Sequence, residues 1–171
     1  PIKGAAALAN ALSAWATIYF ITLKKNQKNL TLLNNEVEWI SLGEYSSWLK
    51  KIRILKLILK KAGDKKTIAT ISSGFSADFV NSLCTNLAVT VASVRGNLPV
   101  VYVNTYGIFG GLFALFHLKR LNKISHVVSM TESMSRQVES YIKKSSPIIG
   151  NFIDEKKLNH FKNNNRVNGR F

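Results

Sequence analysis

Short apolar runs alternate along this chain with longer stretches whose apolar residues recur at helical spacing. The short runs are rich in β-branched residues, which is typical of buried strands. The longer stretches repeat Trp, Leu or Ile every three or four residues, which predicts amphipathic helices. We predict strands at residues 16–23, 37–42, 67–72, 87–94, 100–103 and 127–130, and helices at residues 5–14, 44–62, 108–121 and 135–143, with a further helix beginning near residue 76.

Strands that alternate with helices in this way form parallel βαβ units with right-handed crossovers. We therefore expect an α/β fold, a Rossmann-like doubly wound parallel sheet with helices on both faces. A chain of 171 residues suits one such domain. We expect that domain at residues 1–154 and a polar linker or tail at residues 155–171. Ligands of these sheets bind at the carboxyl ends of the strands, so polar residues that follow strands are candidate binding residues.

The net charge of +15 favours anionic partners, such as phospholipid headgroups, nucleotide diphosphates or nucleic acid. The single cysteine, Cys84, excludes a disulfide framework and favours a reducing compartment. The first residues lack a secretory signal pattern, and no run approaches the ~20 apolar residues that span a bilayer. We predict a cytoplasmic protein, with peripheral attachment to the inner face of the cell membrane left open.

The histidines do not predict a metal site. His117 lies in an apolar helix, His126 precedes a strand and His160 lies in the polar tail. One cysteine and no His/Glu spacing motif cannot complete a ligand set. We expect no metal and no bound cofactor, and ordinary hydrogen-bonded roles for His117 and His126.

Two strand ends carry polar residues that suit ligand binding. Arg95 can hold a phosphate or carboxylate through two parallel hydrogen bonds, and Gly96 lets the backbone approach a ligand closely. The alternatives are a surface salt bridge for Arg95 and a simple turn at Gly96. Further along, Thr131 and its neighbours Glu132 and Ser133 suit ligand binding or the N-cap of the next helix equally well.

Residues 48–61 form the densest basic segment, and they resemble a helix that lies on a membrane surface. The alternative is a crossover helix with a solvated basic face. Residues 108–116 carry three phenylalanines around a Gly-Gly pair, which indicates either core or the border of an apolar groove. On the membrane interpretation, the side chains that face the bilayer are Trp48, Lys50, Lys51, Arg53, Lys60 and Lys61.

Several of these segments together resemble the N-terminal, acceptor-side domain of GT-B glycosyltransferases of the family 4 type. Ser129-Met130-Thr131-Glu132-Ser133 resembles that domain's last polar strand end, and Asn151-Phe152-Ile153-Asp154 resembles the turn that leads to its second domain. Ile71-Ser72-Ser73-Gly74 matches the family's fourth strand end. Arg95-Gly96-Asn97 stands where many members have His-Gly, and Lys3-Gly4-Ala5-Ala6 stands at the Gly-Gly-Ala loop. The strand that precedes this loop in the family is missing from the sequence.

The resemblance implies an enzyme, a retaining hexosyltransferase of bacterial surface polysaccharide synthesis. Such enzymes transfer a sugar from a nucleotide-sugar, their co-substrate, to a glycan acceptor that is often lipid-linked, and they need no metal. Their catalytic residues belong largely to a C-terminal donor domain that we expect to be absent, so those residues stay unassigned and we expect the chain alone to be inactive. The implied substrate-binding residues are Lys3, Gly4, Ser73, Arg95, Gly96, Asn97, Thr131, Glu132 and Ser133.

The rival interpretation is a non-catalytic basic α/β module that binds a membrane or nucleic acid. Nucleic acid is disfavoured, because the basic helix lacks interleaved aromatic residues and the sequence contains no recognition motif.

Overall fold

The computed structural model describes residues 2–25 and 31–150. The Asn151-Phe152-Ile153-Asp154 turn, His160 and the expected tail at residues 155–171 lie outside the described residues. The helices are α1 (Ile2–Leu12), α2 (Trp48–Ala62), α3 (Phe75–Asn81), α4 (Leu98–Tyr106), α5 (Gly110–Leu121) and α6 (Glu132–Ile142), with a 3-10 turn at Gly107–Phe109. The strands are β1 (Ile18–Thr22), β2 (Val37–Ser41), β3 (Ala69–Ser72), β4 (Val89–Val94) and β5 (His126–Ser129).

This arrangement is an α/β fold with two small parallel sheets, one of two strands and one of three. The chain divides into two compact units. Among the described residues, the first unit contains 2–22 and 31–41, and the second contains 23–25 and 42–150.

In the first unit, β1 pairs in parallel with β2, with Ile18 beside Val37 at the start of the pairing. The side chain of Asn10 on α1 tethers the segment that leads into β2. Its Nδ2 donates to the Leu32 carbonyl oxygen at 2.8 Å, and its Oδ1 accepts from the Asn34 backbone N–H at 2.9 Å. This one amide therefore fixes the approach to β2.

In the second unit, the sheet order is β3-β4-β5, and both pairings are parallel. Ile148 adds an isolated parallel bridge to Ser129 beside β5. The main hydrophobic core lies between this sheet and helices α4, α5 and α6. Its fully buried members include Ala92, Leu121, Ile124, Val127, Val138 and Ile142.

The predicted strand at residues 100–103 is wrong, because these residues lie inside helix α4. Asn97 precedes the helix as its N-cap, and Pro99 lies in its first turn. Proline is favoured there because its φ is already helical and the N–H that it lacks has no partner in a first turn. These two signals outweigh the strand preference of the valines at 100, 101 and 103.

Helices α4 and α5 fold back on each other across the 3-10 turn. Gly110, the first residue of α5, lies against the α4 backbone, and a Cβ atom there would fall 2.3 Å from the carbonyl oxygen of Tyr102. The Tyr102 hydroxyl reaches His117 Nδ1 at 2.9 Å, although the two residues are fifteen apart in sequence. A straight helix would separate them by about 22 Å at 1.5 Å per residue. We call the segment Leu98–Leu121 the α4–α5 hairpin.

Candidate functional site

The three strands of the second sheet end at the same edge. Because β4 pairs in parallel with both β3 and β5, all three carboxyl ends lie on one side. Ser73 directly follows β3, Arg95 directly follows β4, and Thr131 lies two residues after β5. The structure thus places these three residues at the carboxyl edge, where sheets of this kind hold their ligands.

Arg95 is half-buried, and no carboxylate engages it within the part of the chain that is described. Its Nε donates to Ser93 Oγ at 3.5 Å, the outer limit of a hydrogen bond. The ion pairs formed by described residues do not involve it. The salt bridge considered for Arg95 is therefore not found there, and its terminal N–H groups can meet an anion.

Gly96 and Asn97 connect β4 to the α4–α5 hairpin. A Cβ atom at Gly96 would lie 3.2 Å from Val101 Cγ2, which is a tight contact. Asn97 is the N-cap of α4, because its Oδ1 accepts from the Val100 backbone N–H at 3.4 Å. Its oxygen therefore stabilises the helix, and its amide N–H₂ group remains for a ligand.

After the end of β5, Thr131 is the N-cap of α6, which is one of the two roles considered for it. Its Oγ1 accepts from the Met134 backbone N–H at 3.4 Å, so it caps α6. Ser133 Oγ lies 3.4 Å from Thr131 Oγ1. Glu132 forms an exposed ion pair with Arg136, one turn further along α6. Thr131 therefore acts as a helix cap and Glu132 as an ion-pair partner, which are structural roles.

Lys3 and Gly4 lie in the first turn of α1, in the first unit. The expectation of a loop at these residues is wrong. The alanines that follow continue the helical pattern, and Ala6 and Ala9 are buried on one face of α1. The candidate site described here is confined to the second unit and does not include Lys3 or Gly4.

Below the carboxyl edge runs a buried chain of polar side chains. His117 lies between two partners, with Nε2 2.8 Å from Asp78 Oδ2 and Nδ1 2.9 Å from the Tyr102 hydroxyl. Ser72 Oγ donates to Asp78 Oδ1 at 2.6 Å, and Asn81 Nδ2 donates to Ser72 Oγ at 2.9 Å. With the His117 proton on Nε2, every donor in the chain meets an acceptor. We call these five residues the buried polar network.

The buried polar network has no access to a substrate, because each member is at least nine-tenths buried. Burial, reinforced by the neighbouring Tyr106 and Asp78, raises the pKa of Tyr102 to about 12. Tyr102 therefore stays protonated and can donate to His117. The expected hydrogen-bonded role of His117 is confirmed. The sequence analysis missed Asp78, whose signal is that it is the single charged residue of α3.

On α2, exposure separates the predicted membrane-facing residues into two groups. Lys50, Arg53, Lys60 and Lys61 are exposed. Lys51 is only half-exposed, because its Nζ donates to the Leu23 carbonyl oxygen at 2.7 Å. The prediction that the Lys51 ammonium group faces outward is therefore wrong. Trp48 is partly engaged as well, since it packs edge-on against Phe79 with ring centroids 6.5 Å apart.

Cys84 is buried, and its Sγ lies 3.5 Å from the Val80 carbonyl oxygen. Burial raises the pKa of its thiol, with a smaller opposing effect from Lys56. A buried thiol with a raised pKa is unreactive, so Cys84 packs as a small apolar side chain.

The α4–α5 hairpin is long and apolar enough to cross a membrane, by length and composition only. The sequence analysis expected no such run, because it divided these residues between a strand and a helix. Within residues 2–25 and 31–150, no three His, Cys, Asp or Glu side chains group as metal ligands. Comparisons with protein-family models, with curated proteins and with solved structures found no match.

Proposed function

We propose that this chain is the acceptor-side domain of a retaining GT-B glycosyltransferase that acts at the cytoplasmic face of a bacterial membrane. On this proposal, its sheet is part of a doubly wound GT-B sheet. A donor domain holds the nucleotide-sugar, and the carboxyl edge of β3, β4 and β5 holds the acceptor. The acceptor is a glycan linked to a lipid diphosphate, as used in surface polysaccharide synthesis.

The observation that carries the proposal is Arg95 at this edge, which forms no ion pair with any described residue. A half-buried guanidinium without a carboxylate partner within the described residues is well suited to a diphosphate, which it can bind through two parallel hydrogen bonds. Ser73 follows the adjoining strand β3, and Asn97 lies two residues after Arg95; both add neutral donors. An acceptor diphosphate would thus be held at the edge where α/β sheets bind ligands.

The exposed face of α2 supports location at a membrane. Lys50, Arg53, Lys60 and Lys61 fall on one side of the helix, and the exposed Leu49 and Leu57 lie among them. Basic residues interleaved with leucines are typical of helices on anionic bilayers. This surface would keep the domain beside its lipid-linked acceptor.

Isothermal titration calorimetry with a short-chain prenyl diphosphate sugar tests the acceptor site. We expect the parent chain to bind this compound, and Arg95→Ala to weaken binding by at least about tenfold, since a charge-assisted pair contributes roughly 1.5–3 kcal/mol. Arg136→Ala is the matched control, because Arg136 is an exposed arginine already paired with Glu132. It should leave affinity unchanged.

The matching prenyl alcohol separates anion recognition from binding of the hydrocarbon. We expect the alcohol to bind far more weakly than the diphosphate. Equal affinity of the parent and Arg95→Ala for the diphosphate sugar would contradict the site. Binding of diphosphate and alcohol alike would leave only a hydrophobic surface and contradict the proposed acceptor.

A further inference from the structure

The α4–α5 hairpin exposes large apolar side chains around most of its circumference. Ile108 at the tip is 90 % exposed and Leu112 is 67 % exposed. Only 22 % of the 18 most apolar consecutive residues of the hairpin are buried. A helix that is apolar on all sides belongs in a protein core or in a membrane. The exposed apolar residues of the hairpin are Val100, Val101, Val103, Tyr106, Ile108, Phe109, Leu112, Phe113, Leu115 and Phe116.

The hairpin is firmly held at its base. The buried polar network ties Tyr102 of α4 and His117 of α5 to Asp78 on α3. Phe75, at the start of α3, packs edge-on against the rings of Tyr102 and His117. The exposed apolar surface therefore belongs to an element with a well-anchored base.

The hairpin begins at the carboxyl edge, because α4 follows the end of β4 after three residues. His117 lies level with Phe75, the first residue of α3, which begins just above the end of β3. Gly110 precedes His117 by seven residues, so the start of α5 lies about 10 Å from His117 along the helix at 1.5 Å per residue. The hairpin therefore starts on the side of the sheet where Arg95 lies, and its exposed tip is separated from the anchored His117 by about two turns of α5.

Charge distinguishes a lipid partner from a protein partner. No charged residue occurs from Gly96 to Leu118, whereas Arg95 precedes the hairpin and Lys119 and Arg120 lie in its last turn. No Asp or Glu occurs between Asp78 and Glu132. An uncharged apolar projection with cations at its base matches the acyl region and the anionic headgroups of a bilayer. Protein–protein interfaces usually have a polar rim, and this segment contains no carboxylate that could contribute to one.

We propose that the tip of the α4–α5 hairpin inserts into one leaflet of an anionic phospholipid bilayer and anchors the second unit to the membrane. The hairpin does not cross the bilayer, because α4 and α5 fold back on each other and both ends return to the same sheet. The proposal does not depend on glycosyl transfer. It goes beyond surface docking by α2, because it assigns the apolar anchor to a different element.

The two surfaces are continuous through a cluster of aromatic side chains. Phe79 of α3 contacts Trp48 of α2 on one side and stacks with Phe116 of α5 on the other, with centroid distances of 6.5 and 6.2 Å. The guanidinium of Arg120 lies over Phe79 and Phe116, 4.7 and 5.0 Å from their centroids. The hairpin and the start of α2 can therefore meet one bilayer together.

A fluorescent label at the tip measures insertion directly. Ile108→Cys can carry an environment-sensitive maleimide dye, and Tyr141→Cys, an exposed apolar position on α6, is the matched control. The native Cys84 is fully buried, so labelling selects the introduced thiol. The probe is vesicles of equal parts phosphatidylglycerol and phosphatidylcholine, with quenchers at the headgroup, at the upper acyl chain or at the bilayer centre.

We expect the dye at 108 to shift to the blue and to be quenched most by the upper acyl-chain quencher, while the dye at 141 stays in water. In the unlabelled chain, Ile108→Ser with Phe109→Ser should weaken vesicle binding roughly tenfold or more, because two large side chains lose apolar burial. Both positions are exposed, so the fold should be retained, and circular dichroism checks this.

Two results would overturn the proposal. A dye at 108 that remains in water while the protein sediments with the vesicles would mean that another surface docks. Strongest quenching from the bilayer centre would mean that Leu98–Leu121 spans the membrane as one helix.

Discussion

At the scale of single residues, the buried polar network explains how an apolar hairpin is held to the three-stranded sheet. Burying the Asp78 carboxyl group is costly unless partners replace its lost water. His117 and Ser72 supply those partners at 2.8 and 2.6 Å. Because the same histidine also accepts from Tyr102, the cost of burying Asp78 is offset only when the hairpin is in place.

This coupling predicts a large stability loss when His117 is replaced. His117→Ala leaves Asp78 buried without its main partner, so the free energy of unfolding should fall by about 3 kcal/mol or more. His126→Ala is the control, because His126 is exposed at the start of β5. It should change stability by about 0.5 kcal/mol or less. Urea unfolding measures both, and equal losses would contradict the role of the network.

At the scale of elements, the sequence predicted the alternating strands and helices better than it predicted the α4–α5 hairpin. The predicted strands at residues 37–42, 67–72, 87–94 and 127–130 all correspond to observed strands, because each is a compact apolar run between polar segments. Residues 100–103 have the same composition but form a helix. The sequence alone could have predicted this helix, because Asn at the N-cap followed by Pro in the first turn is a common helix start.

The candidate site was predictable only in part, for a related reason. The order of strands and helices was enough to place Arg95 and Thr131 at one edge. The competing duties of Asn97 and Thr131 as N-caps depend on backbone geometry at the helix starts. The pairing of Asp78 with His117 joins residues 39 apart, and no local pattern encodes such a contact.

Gly110 should control the fold of the hairpin. In Gly110→Ala the new Cβ would overlap the α4 backbone, 2.3 Å from the Tyr102 carbonyl oxygen, and overpacking of this kind costs about 1–3 kcal/mol. Gly111→Ala is a control one residue away, where a Cβ meets nothing within 4 Å. It should be neutral or stabilise by up to about 1 kcal/mol. Thermal unfolding measures the difference, and two equally stable variants would contradict the close crossing.

The basic face of α2 should contribute electrostatic attraction to anionic lipid. Replacing Lys50, Arg53 and Lys60 with glutamine should weaken binding to phosphatidylglycerol vesicles at least about tenfold at low salt, since each cation near such a surface contributes roughly 1 kcal/mol. Lys51 is left in place because it bonds to the Leu23 carbonyl oxygen. The loss should shrink as salt rises, because the Debye length is about 8 Å at physiological ionic strength.

A second triple variant removes the same charge elsewhere. Glutamine at Lys24, Arg136 and Lys143, which are exposed and lie outside α2 and the hairpin, should weaken vesicle sedimentation much less. If both triple variants lose binding equally, net charge alone would explain the attraction, and the face of α2 would have no special part.

At the scale of the second unit, three surfaces suit binding of a lipid-linked anion at a membrane. The carboxyl edge carries an arginine suited to a diphosphate, the hairpin that follows β4 exposes apolar side chains, and α2 adds a basic face that joins the hairpin through Trp48 and Phe79. A lipid-linked diphosphate presents its anion at the height of the headgroups. The arrangement would therefore place the proposed acceptor beside Arg95 without lifting it from the bilayer.

The most direct test of the acceptor site is photo-crosslinking with a prenyl diphosphate sugar that carries a diazirine next to the diphosphate. The probe is placed in anionic vesicles with the protein, and labelled peptides are identified by mass spectrometry. We expect label on the segments that follow β3, β4 and β5, around Ser73, Arg95 and Thr131, and we expect an excess of unlabelled compound to suppress it. Label confined to the opposite edge, at residues 64–68, 85–88 and 122–125, or label that the unlabelled compound does not suppress, would contradict the account.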